Sequence, residues 1–77
     1  MKRIENSECL ADFGKFIREK REQLDLYQSN VASELGITQA YYSQIECGVR
    51  NVDLVLAIKI CQVLKLNLND YIKEYMK

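Results

Sequence analysis

Apolar side chains recur along the chain every three or four residues, which is the spacing of one face of an α-helix. The segment from Cys9 to Leu24 shows this pattern first and predicts an amphipathic helix. Residues 1–8 before it are largely polar and predict a flexible N-terminal segment, although Lys2 and Arg3 could also form an arm that reaches a minor groove.

Four further helices follow from the same periodicity and from helix-capping residues. The second predicted helix, 28–35, ends at Gly36, which can adopt the positive φ of a residue just past a helix. Thr38 is a good N-cap for a third helix, from Gln39 to about Cys47, and Asp53 caps a fourth. A fifth begins at Asn67 to Asp70 and continues to Tyr75. The sequence pattern therefore predicts an all-α domain over residues 9–77.

The length and amino-acid composition of the chain argue against several classes of function. At 77 residues the chain has room for one small domain, and it contains no histidine, the usual general base of enzymes. Its cysteines, Cys9, Cys47 and Cys61, are odd in number and irregularly spaced, which predicts reduced thiols rather than a disulfide framework or a metal site. No signal peptide, membrane segment or cofactor motif is found. We expect a cytoplasmic protein that is not an enzyme, with no metal and no cofactor.

The stretch from Gln28 to Cys47 meets several geometric demands of a helix-turn-helix at once. Ala32 is small where two helices cross, Gly36 allows the turn, and Ile37 can insert the turn into the core. The angle between the two helices can be filled by four apolar residues. These are Val31, Leu35, Tyr42 and Ile45.

The residues from Phe13 to Ile72 resemble the lambda-repressor/Cro-type helix-turn-helix family, also called the XRE family. The resemblance implies a five-helix domain in which the third helix reads double-stranded DNA. The sequence AYYSQIECGVRN also resembles controller proteins of restriction-modification systems. The residues that match are Ile17-Arg18, Arg21, Gln28, Val31-Ala32, Leu35-Gly36, Ser43, Ile45-Glu46, Gly48 and Arg50-Asn51.

A helical wheel with Tyr42 and Ile45 inward predicts the side chains that read base edges. Glutamine amides can pair with adenine, and an alanine methyl group can contact thymine. The alternative is an ordinary solvent-exposed surface. The predicted base readers are Gln39, Ala40, Tyr41, Ser43 and Gln44, with Cys47 on the same outward face.

The resemblance assigns Gln28 to a phosphate contact that also supports Gln39. Its amide could equally be solvated at the helix start. Arg50 is the best candidate for a charged contact with a phosphate or groove edge, the alternative being a salt bridge to Asp53. Arg18 and Lys15 are expected to contact the backbone more weakly.

Arg21 and Glu46 have an implied structural role, because the family pairs these positions as an internal salt bridge.

The sequence departs from the family pattern at four positions near this region. Tyr27 replaces a small polar N-cap, Val52 replaces a common proline, and Cys47 and Val49 replace residues that are often basic.

These features predict a sequence-specific transcriptional regulator that acts as a homodimer through helices 4 and 5. A short reading helix contacts few base pairs, and two-fold pairing places two of them about one DNA turn apart. The alternative function is a protein-interaction module, such as an antitoxin or anti-repressor, which the zero net charge favours. The apolar groups expected at the interface, or alternatively in the monomer core, are Leu56, Ile60, Val63, Leu68, Tyr71 and Tyr75.

Overall fold

A computed structural model describes residues 6–75, with side chains from residue 10 onward. The predicted all-α fold of five helices is confirmed within this range, and the second helix has the predicted bounds. The first helix begins three residues earlier than predicted, and residues Lys2 and Arg3 of the predicted arm lie outside the described range. The helices are α1 (Asn6–Gln23), α2 (Gln28–Leu35), α3 (Gln39–Glu46), α4 (Leu54–Val63) and α5 (Leu68–Tyr75).

Short polar side chains begin three of these helices. The Thr38 hydroxyl accepts a hydrogen bond from the Tyr41 backbone N–H at 3.1 Å, and the Asp53 carboxylate accepts one from the Leu56 N–H at 2.8 Å. Asn67 Oδ1 accepts from the N–H of Asn69 at 2.9 Å at the start of α5. Each cap satisfies a backbone donor that the first turn of a helix leaves unpaired.

The turn between α2 and α3 is fixed by Gly36, which has φ 72°. This left-handed conformation lets the N–H of Ile37 reach back to the carbonyl of Ala32 at 3.1 Å, the closing bond of a Schellman motif. The Ile37 side chain then packs against the core. The chain is thus held in a tight angle between two short helices.

The core lies where α1 and α2 pack against α3, with α4 against α2 and α5 against α1. An aromatic cluster joins α1 to α5, and its ring centroids are 5.3–6.3 Å apart. The cluster consists of Phe13, Phe16, Tyr71 and Tyr75. The largest fully buried side chains are Tyr42, Ile17, Ile45, Ile60, Leu64 and Val31.

Gly14 allows α1 to cross the C-terminal end of α3 at very close range. A Cβ atom at this position would lie 2.6 Å from the carbonyl oxygen of Ile45 and closer still to that of Glu46. Since both neighbours are backbone atoms, no side-chain rotation could make room. The end of α3 is therefore held against α1 by direct backbone packing.

Of the two alternatives for the six apolar groups of α4 and α5, the structure supports the monomer core over an exposed interface. Ile60 is fully buried and Tyr71 is buried, while the other four are half-buried and pack against the core. Other apolar side chains of these two helices are exposed, namely Leu54, Val55 and Ile58 of α4 and Ile72 of α5.

Between residues 6 and 75, no helix is long and apolar enough to cross a membrane.

Candidate nucleic-acid interface

The outer face of α3 is open to solvent and uncharged. Gln39, Ala40 and Gln44 are exposed, whereas Ser43 is half-buried and less accessible than the helical wheel predicts. The opposite face is anchored by Tyr42 and Ile45, which are 0% and 1% exposed. This burial fixes the rotation of α3 about its axis and determines which side chains point outward.

Tyr41 and Arg50 are brought together although they are nine positions apart in the sequence. The guanidinium carbon of Arg50 lies 4.9 Å from the centroid of the Tyr41 ring, which is a cation–π contact. Arg50 makes no ion pair with Asp53, whose carboxylate caps α4 instead. The exposed charge of Arg50 therefore lies next to the first turn of α3.

Lys15 and Arg18 are exposed on α1. Neither forms an ion pair with any side chain that the structure describes. Their charges remain available to an anionic partner, and no hydrogen bond joins them to a described residue of α3.

A cluster of polar groups ties three helices together at the C-terminal end of α3. Arg21 of α1 binds both carboxylate oxygens of Glu46, through Nε at 2.6 Å and Nη2 at 3.0 Å. Its third nitrogen, Nη1, donates to the carbonyl of Leu26 at 2.8 Å. The Glu46 side chain is 2% exposed and that of Arg21 is 12% exposed. We call this group, with Gln28, the Arg21–Glu46 cluster.

Gln28 belongs to this cluster and not to a contact with Gln39. Its Nε2 donates to Glu46 Oε1 at 3.1 Å, and the side chain is half-buried. The expected support of Gln39 is not seen in this structure, where the buried carboxylate is a stronger acceptor than an exposed amide. Any phosphate contact of Gln28 would use the remaining part of its amide or its backbone.

The electrostatics of the cluster favour an ionised Glu46. Burial alone would raise the pKa of the Glu46 carboxyl, but the contacts with Arg21, Tyr42 and Gln28 outweigh burial and hold the pKa below its usual range. Burial and the neighbouring Glu46 carboxylate raise the pKa of the Tyr42 phenol far above its usual range. The cluster thus keeps one negative and one positive charge beneath the uncharged surface of α3.

The two departures from the family pattern at helix ends have distinct structural outcomes. Tyr27 begins α2 without a side-chain cap of its own, and the Asn30 side chain accepts its N–H at 2.9 Å instead. The Tyr27 ring is 77% exposed. Cys47 ends α3 and is an exposed free thiol.

Sequence reasoning missed the close approach at Gly14 and the pairing of Tyr41 with Arg50. A glycine inside an amphipathic helix is a usable signal, since it lowers helix propensity and often marks a packing requirement. The Tyr41–Arg50 contact has no comparable signal, because it depends on the path of the loop after α3.

The geometry defines an all-α domain with a helix-turn-helix, the arrangement that presents a helix to the major groove of DNA. Residues 17–71 match the helix-turn-helix family, and the chain belongs to it. The protein is accordingly a DNA-binding transcriptional regulator rather than an enzyme, and the alternative of a protein-interaction module is not favoured.

Known proteins resemble most of the chain. The control protein C.MunI from Mycoplasma sp is 35% identical over 66 residues, 84% of this chain and 89% of its own. The uncharacterized HTH-type transcriptional regulator YqaE from Bacillus subtilis is 34% identical over 61 residues, 79% of this chain and 53% of its own. The crystal structure of the restriction-modification controller protein C.AhdI from Aeromonas hydrophila has a TM-score of 0.76 and 31% identity, covering 83% of this chain and 97% of that one.

Proposed function

We propose that the protein binds an operator sequence by inserting α3 into the major groove, where exposed side chains of its outer face read base edges. The observation that carries this proposal is the uncovered, uncharged face of α3, held in a fixed rotation by the buried Tyr42 and Ile45. Such a face offers hydrogen-bond donors and acceptors without favouring phosphates over bases. The proposed base-contacting residues are Gln39, Ala40, Tyr41, Ser43 and Gln44.

In this proposal only a few charged side chains contact the DNA backbone. Lys15, Arg18 and Arg50 are exposed and free of ion pairs within the described chain, and Gln28 lies at the N-terminus of α2, where backbone N–H groups favour an anion. Three cationic contacts per protomer predict that log Kd changes with log salt by about 3 per protomer.

We further propose that the protein works as a homodimer in the cytoplasm, where its DNA target lies. Two copies would pair through α4 and α5, using the exposed Leu54, Val55, Ile58 and Ile72 in place of the six residues predicted from sequence, which pack in or against the core. An apolar groove continues this surface between α4, α5 and the first half of α1. Two-fold symmetry would place two α3 helices on successive turns of one DNA face.

The likeness to C.MunI and C.AhdI supports a more specific role, which is control of the genes of a restriction-modification system. In this role the operator would lie upstream of such genes. Mapping the bound sites on the genome of the source organism would check it, and sites far from restriction or methyltransferase genes would contradict it.

The test of base reading is a comparison of Gln44→Ala with wild type. Sites selected from a random duplex library supply the operator, and fluorescence anisotropy gives Kd at several salt concentrations. We expect Gln44→Ala to lose about 1–3 kcal/mol on the operator and nothing on random duplex. Gln23→Ala, an exposed glutamine at the end of α1, is the matched control and should bind like wild type. Equal losses on both duplexes would show that Gln44 does not read bases.

A further inference from the structure

The side chains of Tyr41 and Arg50 differ in how firmly the rest of the domain holds them in place. Tyr41 is half-buried and packs against the core, and the Thr38 hydroxyl holds its backbone N–H in the first turn of α3. Arg50 lies in the connection between α3 and α4 and is exposed. The ring is therefore the fixed partner, and the guanidinium is the group that becomes ordered.

The contact with the Tyr41 ring leaves the Arg50 hydrogen-bond donors without a side-chain or carbonyl acceptor among the described residues. A guanidinium carries five N–H donors and no acceptor, and it is attracted to the face of an aromatic ring by its charge. The Arg50 donors can accordingly form a bidentate contact with a phosphate or with the O6 and N7 atoms of guanine.

We propose that Tyr41 is a positioning residue, which acts on DNA through Arg50 and not through its own hydroxyl group. The inference rests on the proposed DNA-binding function and changes the role given to Tyr41 there. A free arginine side chain loses rotamer entropy when it binds, and the ring removes part of that loss before DNA arrives. The pair would also fix the distance from Arg50 to the base-contacting face of α3.

Tyr41→Phe and Tyr41→Leu separate the ring from the hydroxyl. Phenylalanine keeps the aromatic face, so Tyr41→Phe should bind the selected operator like wild type. Leucine keeps an apolar side chain for the core but removes the π system, so Tyr41→Leu should bind about two- to fivefold more weakly. Arg50→Ala should lose about tenfold, and Lys73→Ala, which removes a charge from α5, should lose much less.

The decisive measurement is the double variant Tyr41→Leu/Arg50→Ala. If Tyr41 acts through Arg50, this variant binds as Arg50→Ala does, because the leucine has nothing left to disturb. In the free protein, proton NMR should show the Arg50 side-chain protons shifted upfield by the ring, in wild type and Tyr41→Phe but not in Tyr41→Leu. A stability effect alone would not produce this pattern, and melting temperatures of all variants would verify folding.

Two results would overturn the inference while leaving DNA binding intact. Additive losses in the double variant would mean that Tyr41 contacts DNA independently, and a loss in Tyr41→Phe as large as in Tyr41→Leu would assign the contact to the hydroxyl. Failure of the wild-type protein to bind any selected duplex at low salt would instead overturn the proposed function, and the inference with it.

Discussion

Glu46 meets three separate requirements at the C-terminal end of α3. It binds Arg21 of α1 with both oxygens, accepts from Gln28 of α2, and lies beside the buried Tyr42. Removing one partner of a buried ion pair leaves the other charge without compensation, at about 3–5 kcal/mol. A domain of this length has about 4–12 kcal/mol of stability in total. The orientation of α3 therefore depends strongly on one carboxylate.

The lowered pKa of Glu46 predicts a specific loss of stability in acid. The unfolded carboxyl titrates near 4.3 and the folded one at lower pH, so between these values the unfolded state binds more protons and the free energy of unfolding rises with pH. The contribution is complete above about pH 4.5 and is lost as pH falls through the folded pKa. Urea unfolding at pH 3 to 7 should show this slope in wild type.

Glu46→Gln should remove that part of the acid slope and lower stability at pH 7. The control is Glu22→Gln, which removes an exposed carboxylate near the end of α1. It should keep the wild-type slope of the free energy of unfolding against pH. An acid slope that is the same in wild type and Glu46→Gln would show that the cluster does not hold Glu46 ionised.

At the scale of the helices, the crossing of α1 over α3 depends on Gly14. Replacement by alanine adds about 1 kcal/mol of helix propensity, but the new methyl group would meet two backbone carbonyls of α3. Overpacking of this kind costs about 1–3 kcal/mol, and backbone cannot relax as a side chain does. We expect Gly14→Ala to lower the melting temperature and, by displacing the end of α3, to weaken operator binding.

Glu19→Ala makes a suitable control, because Glu19 is exposed in the same helix. Its stability should change by less than about 0.5 kcal/mol. Circular dichroism melts measure both variants, and a Gly14→Ala protein as stable as wild type would mean that α1 and α3 are separated more widely than the structure shows.

Gly36 and Gly14 illustrate what the sequence could and could not reveal. Gly36 acts locally, because its role in the turn depends only on its own positive φ, and the sequence was enough to predict that role. Gly14 acts through a contact with residues 45 and 46, so its role depends on which helices cross. The same reason applies to Gln28, whose hydrogen bond to Glu46 joins residues of two helices that are 18 positions apart in the sequence and could not be predicted from periodicity.

At the scale of the whole molecule, zero net charge is compatible with specific DNA binding because the charges are unevenly placed. The only charged residue of α3, Glu46, is buried and paired. Exposed acidic groups, such as Glu34 on α2, do not lie on α3. The outer face of α3 therefore carries no exposed negative charge, while the zero net charge of the whole chain limits non-specific binding.

The exposed apolar surface of α4 and α5 lies outside the monomer core, so a substitution there can test dimerisation without unfolding the domain. Ile58 lies within this surface and is 44% exposed, so Ile58→Lys should leave the melting temperature of the monomer nearly unchanged. A buried charge at a two-fold interface would face its own copy and abolish pairing. Analytical ultracentrifugation should find a dimer for wild type and a monomer for Ile58→Lys.

The monomeric variant should also bind a full operator much more weakly, since each α3 would then bind its half-site alone. Its affinity for an isolated half-site should match that of wild type at concentrations where wild type is monomeric. Ser33→Lys places the same charge on the exposed face of α2 and should remain dimeric. A wild-type protein that sediments as a monomer at high concentration would contradict dimerisation, and an Ile58→Lys dimer would place the pairing surface elsewhere.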